Sequence, residues 1–339
     1  MFYAIFAHIM QTNIATMNYN DTRSEFPFRR NYMPKFDDMF ARLKLISINP
    51  PNEWSIPRER YNLGIVSRSF PTDFELTDSL ADHFVESVRI KCREIGHKTP
   101  IEAWKSISTK IEQSLTTREK REAVYKISRG CNLFNTALCT YLIARFCNKP
   151  NAAILDPTAG WGDRLISAFA VPNIAYYHGW DTNPELQNVY KQIGNHMLVN
   201  HEKHTLNWHV EFGPFEDSVQ RFHEGNDLHE RFDIAILSPP IFTKELYLGA
   251  ETSTNRYKTF AAWKNKFYIP LIKQTILGLK IGGYLLLYIY NNALLESNDA
   301  FDDLEYLGEM GFQQVIENSS KNPVIRGIRV YLSSRRATR

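Results

Sequence analysis

Only four cysteines occur among the 339 residues, Cys92, Cys131, Cys139 and Cys147, and no two of them form a CxxC pair. This excludes a disulfide framework and the usual zinc-site spacings, so free buried thiols, no metal and a reducing compartment within a cell are expected. Long apolar runs are missing as well. The opening MFYAIFAHIM is apolar, yet it has no basic flank and is too short to span a bilayer, so it reads as a packed or partly disordered terminus. Nothing later reaches membrane length, and a soluble protein without membrane contact is expected. Internal repeats and low-complexity blocks are absent. A large excess of one charge is absent too: the formal net charge of +3 tolerates a polyanionic partner without requiring one.

What remains is an ordinary globular composition, and the length suggests one large domain with an accessory region. We draw the boundary between an N-terminal region, 1–118, and a main domain, 119–339. The first part is irregular to about Leu63, rich in Asn, Pro, Arg and aromatics. DSLADHFVESVRIKC then places Leu80, Phe84, Val85, Val88 and Cys92 on one helical face, with Asp78 or Ser79 as N-cap. Pro100 marks another helix start, and a third helix puts Leu138, Leu142 and Phe146 on one side.

From Ala152 the rhythm becomes strand and helix in alternation. AAILD, AYYHGWD, NWHVEFG, FDIAILS and GGYLLLYIY read as strands, and QQVIENSS with VIRGIRVYLSS as a closing antiparallel pair. A helix between the fourth and fifth strands is broken or bent near Pro270. The pattern predicts an α/β fold with a doubly wound, mostly parallel, Rossmann-like sheet behind a mainly helical or irregular N-terminal region. Ligands on such sheets sit beyond the carboxyl ends of the strands, where Asp156, Asp181, Asp217 and Ser238 all fall.

The first strand runs into DPTAGWGDRL. The third glycine of a dinucleotide fingerprint is absent, Asp163 would repel a pyrophosphate, and no P-loop Lys follows. S-adenosylmethionine, which carries no phosphate and is cationic at sulfur, fits better. Asp156 suits its positive end, and Gly160 and Gly162 admit it to the backbone. Asp181 can take both ribose hydroxyls, and Glu216 or Asp217 in GPFEDS the adenine amino group.

SPPIF follows the fourth strand. Two consecutive prolines stiffen the turn and leave the Ser238 and Pro239 carbonyls as acceptors beside the Ser238 hydroxyl. Such a rigid cluster suits an exocyclic amine, whose lone pair it frees for in-line attack on the sulfonium methyl. Pro240 stands where a C5-cytosine methyltransferase needs a thiolate.

DPTAGWGDRL followed by SPPIF resembles the class I S-adenosylmethionine-dependent amino-methyltransferases, over roughly residues 120–335. The GWGDRL variant, YHGWDTNPEL and TSTNRY are most similar to DNA methyltransferases of phage and large-virus type. The resemblance implies an enzyme methylating N6 of adenine in DNA, with N4 of cytosine or an RNA base as alternatives. It implies that Phe134, Asn135, Asp156, Thr158, Gly160 and Gly162 line the cofactor, Asp181 its ribose, and Ser238, Pro239 and Pro240 the reacting amine. One departure stands out. The catalytic motif usually ends in an aromatic that stacks on the target base, and here that position is Ile241; a one-residue shift would offer Phe242. A catalytically silent binding subunit is therefore the second reading. Partners are expected to be nucleic acid, DNA before RNA, with a homodimer or a partner subunit in view. RSEFPFRRNYMPKF (Arg23, Arg29, Arg30, Lys35 with Phe26, Phe28, Tyr32) and the tail cations Arg335, Arg336 and Arg339 are the candidate polymer-binding surface.

Overall fold

A computed structural model describes residues 25–48, 53–54, 63–66, 80–200, 206–289, 298–314 and 324–334. The opening apolar segment, Asp78, Ser79, Arg23, Arg335, Arg336 and Arg339 lie outside the described residues. Seven strands form the body of one sheet: β1 (Ala152–Asp156), β2 (Ile174–Asp181), β3 (Asn207–Phe212), β4 (Phe232–Leu237), β5 (Leu279–Leu287), β6 (Leu304–Gln314) and β7 (Val324–Ser333). Their spatial order is β6-β7-β5-β4-β1-β2-β3, and two short strands, Glu53–Trp54 and Gly64–Val66, extend the sheet beyond β6. β1 to β5 are parallel, whereas β7 runs antiparallel to both β5 and β6. The doubly wound, mostly parallel architecture is the one the alternation predicts. β1 and β4 are buried along their whole length, which is why they appear in the sequence as near-continuous apolar runs, interrupted only by Asp233 in β4 and closed by Asp156 in β1.

Helices cover both faces. On one lie α1 (Phe36–Ile48), α2 (Asp82–Arg89), α5 (Thr136–Phe146), α6 (Asp163–Ala170) and α7 (Leu186–Asn200), sharing a core in which Phe40 and Leu43 of α1 join Leu138, Leu142 and Phe169. On the other, α8 (Ile269–Gly278) and the turns at 215–222 pack over Trp180, Phe232 and Leu285. A small separate core straddles the 118/119 boundary, with Phe26 and Ile90 against Trp104 of α3 (Pro100–Ile107) and Val124 of α4 (Thr117–Ile127).

Some elements match expectation and several depart from it. α2 begins after Ala81 with no side-chain cap, and Phe84 is only half-buried while Leu80, Val85, Val88 and Cys92 are buried. α3 starts at Pro100 inside a Thr99–Glu102 capping box, and α4 has another at Thr116–Glu119. α5 does not show one apolar side; every residue from Thr136 to Ile143 is buried because helices flank it. The strand before β7 begins well ahead of QQVIENSS: β6 occupies Leu304–Gln314 and shares Gln313 and Gln314 with that segment, whose other residues lie outside the described residues. The bend near Pro270 is a π turn at Lys264–Tyr268, which accommodates the missing proline N–H at the start of α8. All four cysteines are buried and free. No helix among the described residues is long and apolar enough to cross a membrane.

Candidate active site

The order of strands reverses between β1 and β4, and the loops after these two strands meet at their carboxyl ends. The Ser238 N–H donates to Thr158 Oγ1 at 3.4 Å, which joins the SPP corner to the glycine turn. Tyr288, just past β5, donates its N–H to the Leu237 carbonyl at 2.8 Å and fixes the corner from the other side.

The two glycines have different reasons. Both are left-handed, with φ of +63° at Gly160 and +91° at Gly162. A Cβ at Gly162 would lie 2.6 Å from Ile193 Cδ1, so what presses on this backbone is α7 and not a ligand. A Cβ at Gly160 would meet nothing nearer than the Thr158 carbonyl at 3.6 Å, so this position has room in front of it. The Gly160 N–H donates to Asp181 Oδ2 at 2.9 Å, and its carbonyl accepts from the Tyr190 hydroxyl at 3.0 Å.

Asp156 is not the open carboxylate the strand end suggests. It is wholly buried; Arg164 Nε donates to its Oδ2 at 2.7 Å and the Tyr177 hydroxyl at 2.6 Å, while Oδ1 has no partner. The same guanidinium donates to the Thr158 carbonyl and lies 5.3 Å from the centre of the Phe134 ring. Asp156 therefore acts on the turn through Arg164. Sequence reasoning passed over Arg164 and Tyr177; the signal was a cation in the first turn of a helix apolar but for Asp163 and Ser167, where burial demands a partner.

Asp181 remains half-buried, at the tip of β2, and its second oxygen accepts from the Asn183 N–H at 2.8 Å. Burial raises this carboxyl to about 6, against the pull of the two backbone donors. Glu216 and Asp217 are both held by Arg256, at 2.7 and 2.9 Å, and Glu216 also accepts from the Tyr257 hydroxyl at 3.1 Å. Asn135 spends its side-chain oxygen as the cap of α5, accepting from Leu138 N–H at 2.7 Å. Phe134 is half-buried and meets Tyr288 edge-on at 5.9 Å.

At the corner, Pro239 is buried while Ser238, Pro240, Ile241 and Phe242 are half-buried. No protein donor takes the carbonyls of Ser238, Pro239 or Pro240 among the described residues. Phe242 is not free to stand in for an aromatic at Ile241: its ring packs against Phe260 at 5.8 Å and Trp263 at 5.9 Å. The loop that follows folds back over the glycine turn. Tyr247 lies 5.9 Å from Trp161, and Glu245–Leu246 pairs with Arg93–Glu94 from the N-terminal region. Arg29 and Phe26 of the proposed basic surface serve the fold, since Arg29 sits 3.6 Å from Asp82 and Phe26 is buried; Arg30, Tyr32 and Lys35 are exposed. Away from this site, His178, His209 and Glu211 bring potential metal-ligand atoms within 4.8 Å of one another, with Glu211 already engaged by His178 and Arg221.

No protein-family model matches the chain, and no curated relative does. Solved structures with a similar course exist at low identity. TYW2 of M. jannaschii, in complex with AdoMet, is 12% identical over 58% of this chain and 72% of its own, with a TM-score of 0.34. A SAM-dependent O-methyltransferase of Thermotoga maritima is 11% identical over 62% and 69%, with a TM-score of 0.37. A precorrin-6y C5,15-methyltransferase of Geobacter metallireducens is 12% identical over 58% and 86%, with a TM-score of 0.34. These scores lie below 0.5, and the strand order carries the fold assignment by itself.

Proposed function

We propose that the protein is an enzyme that methylates the exocyclic amine of a nucleobase, N6 of adenine in DNA first, with S-adenosylmethionine as methyl donor. N4 of cytosine and an RNA base are the neighbouring targets of the same chemistry. The Thr158–Ser238 hydrogen bond is the observation that carries this reading, because it sets a cofactor-type turn directly against a rigid set of acceptors. The residues present suit the cofactor in two respects. Gly160 has the space a ligand needs, and Asp181 is an oriented, half-buried carboxylate with lone pairs left for ribose hydroxyls. The Asp156–Arg164 pair holds the turn and does not reach a ligand itself.

When bound, the cofactor supplies an electrophilic methyl carbon and leaves as a neutral thioether. The chain's own contribution is positional. The Ser238 hydroxyl and the open carbonyls of Ser238 and Pro239 accept the hydrogens of the amine, which localises its lone pair. After transfer they hold the N–H that is shed to solvent. A duplex base reaches such a corner only when flipped out or unpaired.

One observation favours the second reading, a silent subunit that keeps the fold and the cofactor: Ile241 provides no stacking ring, and Phe242 is turned into the Phe260–Trp263 cluster. Incubation with methyl-labelled cofactor and separate DNA, RNA and protein pools decides between them. Label in DNA, assigned to N6-methyladenine by nucleoside mass spectrometry, is the expected result. Calorimetric cofactor binding without label in any pool would establish the silent subunit instead.

A further inference from the structure

Between Glu251 and Glu296 the chain contains no Asp or Glu, yet it carries Arg256, Lys258, Lys264, Lys266, Lys273 and Lys280. Two of these charges are spent, Arg256 on Glu216 and Asp217 and Lys280 on Asp233. The other four face no carboxylate among the described residues, and Lys258, Lys266 and Lys273 are exposed. The segment begins ten residues past Phe242, beyond the Glu245–Leu246 strand that follows the SPP corner.

Phe260 stands in the middle of these cations and is 42% exposed. Its ring lies parallel to buried Trp263 (6.2 Å, 18°) and receives Phe242 edge-on at 5.8 Å. Trp263 is itself fixed, donating its indole N–H to Ser253 Oγ at 3.1 Å. The result is a rigid aromatic shelf with one open side, one contact away from the corner loop. Lys264 follows Phe260 by four residues, so the two are neighbours on the helical surface, and the π turn starts there.

We propose that this segment binds single-stranded nucleic acid, with Phe260 stacking a base and Lys258, Lys264 and Lys266 contacting phosphates. It rests on the reading of the SPP corner as an amine site, for which it supplies the aromatic that Ile241 lacks. Duplex is disfavoured, because its bases offer no free face to a ring standing on the protein surface.

The test is fluorescence anisotropy with a labelled 20-nucleotide DNA, the RNA of the same sequence, and the DNA duplex. The single strands are expected to bind more tightly than the duplex, and the DNA and RNA arms say which polymer is preferred. Phe260→Ala is expected to weaken single-strand binding about 5- to 150-fold and Phe260→Trp to restore it. The double variant K264E/K266E is expected to flatten the dependence of log affinity on log salt by about 1.4. Melting curves and cofactor calorimetry show whether Phe260→Ala is folded; if it is not, the lysine pair carries the test. Tighter duplex binding, or single-strand binding indifferent to both variants, would overturn the proposal. Loss of cofactor binding in the parent protein would instead overturn the reading of the corner, and the two failures are read in separate measurements.

Discussion

Asp156 illustrates what one position does and does not reveal. An acid at the end of an apolar strand was legible as a ligand-end residue, but its neutralisation by Arg164 was not, because the two meet only when β1 and α6 pack together. Removing one member of a buried ion pair leaves an uncompensated charge and costs about 3–5 kcal/mol. Arg164→Met is therefore expected to lower the melting temperature by roughly 4–7 °C, at about 1.4 °C per kcal/mol for a chain of this size. Asp156→Asn in the Arg164→Met background is expected to recover part of the loss, and a thermal double-mutant cycle measures the coupling. Asp181 makes a prediction of a different kind. Its carboxyl is raised from 3.8 to about 6, chiefly by burial, so the folded chain alone favours the protonated form between those values. That contribution to stability is complete below the lower value and is lost as pH rises through the upper one. Ribose hydroxyls, as donors, favour the ionised form. Cofactor affinity is therefore expected to be level above pH 6 and to fall towards tenfold per pH unit below it. Calorimetry from pH 5 to pH 8 reads this directly, and Asp181→Asn is expected to be weak and flat. A parent profile without the bend would remove Asp181 from the cofactor.

At the level of elements, legibility followed burial and punctuation. β1, β2 and β4 were plain because apolar runs end at Asp156, Asp181 and Ser238, where the chain turns. β6 was misplaced because LEYLGEMGFQQ carries two glycines and two glutamates, and its strand character comes from ten register partners along β7. The π turn was invisible, since only the packing of Trp263 and Phe267 sets it against the proline that follows. Gly162 shows the same limit. The sequence announced that something approaches its backbone, and the neighbour turned out to be α7. Gly162→Ala meets both obstacles, a left-handed φ of +91° and Ile193 Cδ1 at 2.6 Å. A loss of about 1–3 kcal/mol is expected in chemical denaturation. Adding Ile193→Val, which removes that methyl, is expected to relieve the contact but not the backbone strain, so the double variant stays below the parent. Full recovery would mean that the turn tolerates a side chain.

Across the whole molecule, the N-terminal region is tied to the sheet by more than its linker. α1 places Phe36, Met39, Phe40 and Leu43 in the same core as α5 and α6, and Gly64–Val66 pairs with β6. The buried ion pair of Glu86 with Arg121 ties α2 to α4, and Arg89, paired with Asp82 inside α2, donates to the Cys131 carbonyl at 3.2 Å, while Arg93–Glu94 pairs with the loop beyond the SPP corner. None of this was legible from composition, which shows a contrast between Asn- and Pro-rich sequence and an alternating domain but not which core each half enters. A shared core ties the unfolding of both parts into one event. Calorimetric melting is expected to show a single transition whose van't Hoff and calorimetric enthalpies agree. Leu43→Ala, a wholly buried side chain of α1, is expected to cost about 2–5 kcal/mol. The decisive feature is how that loss is distributed. With one core, the transition moves down intact by several degrees, and cofactor protection of the remaining folded state shifts with it. If the accessory region were an independent unit, the variant would split the melt, with a low-temperature step for α1 and its contacts and an unmoved step for the sheet.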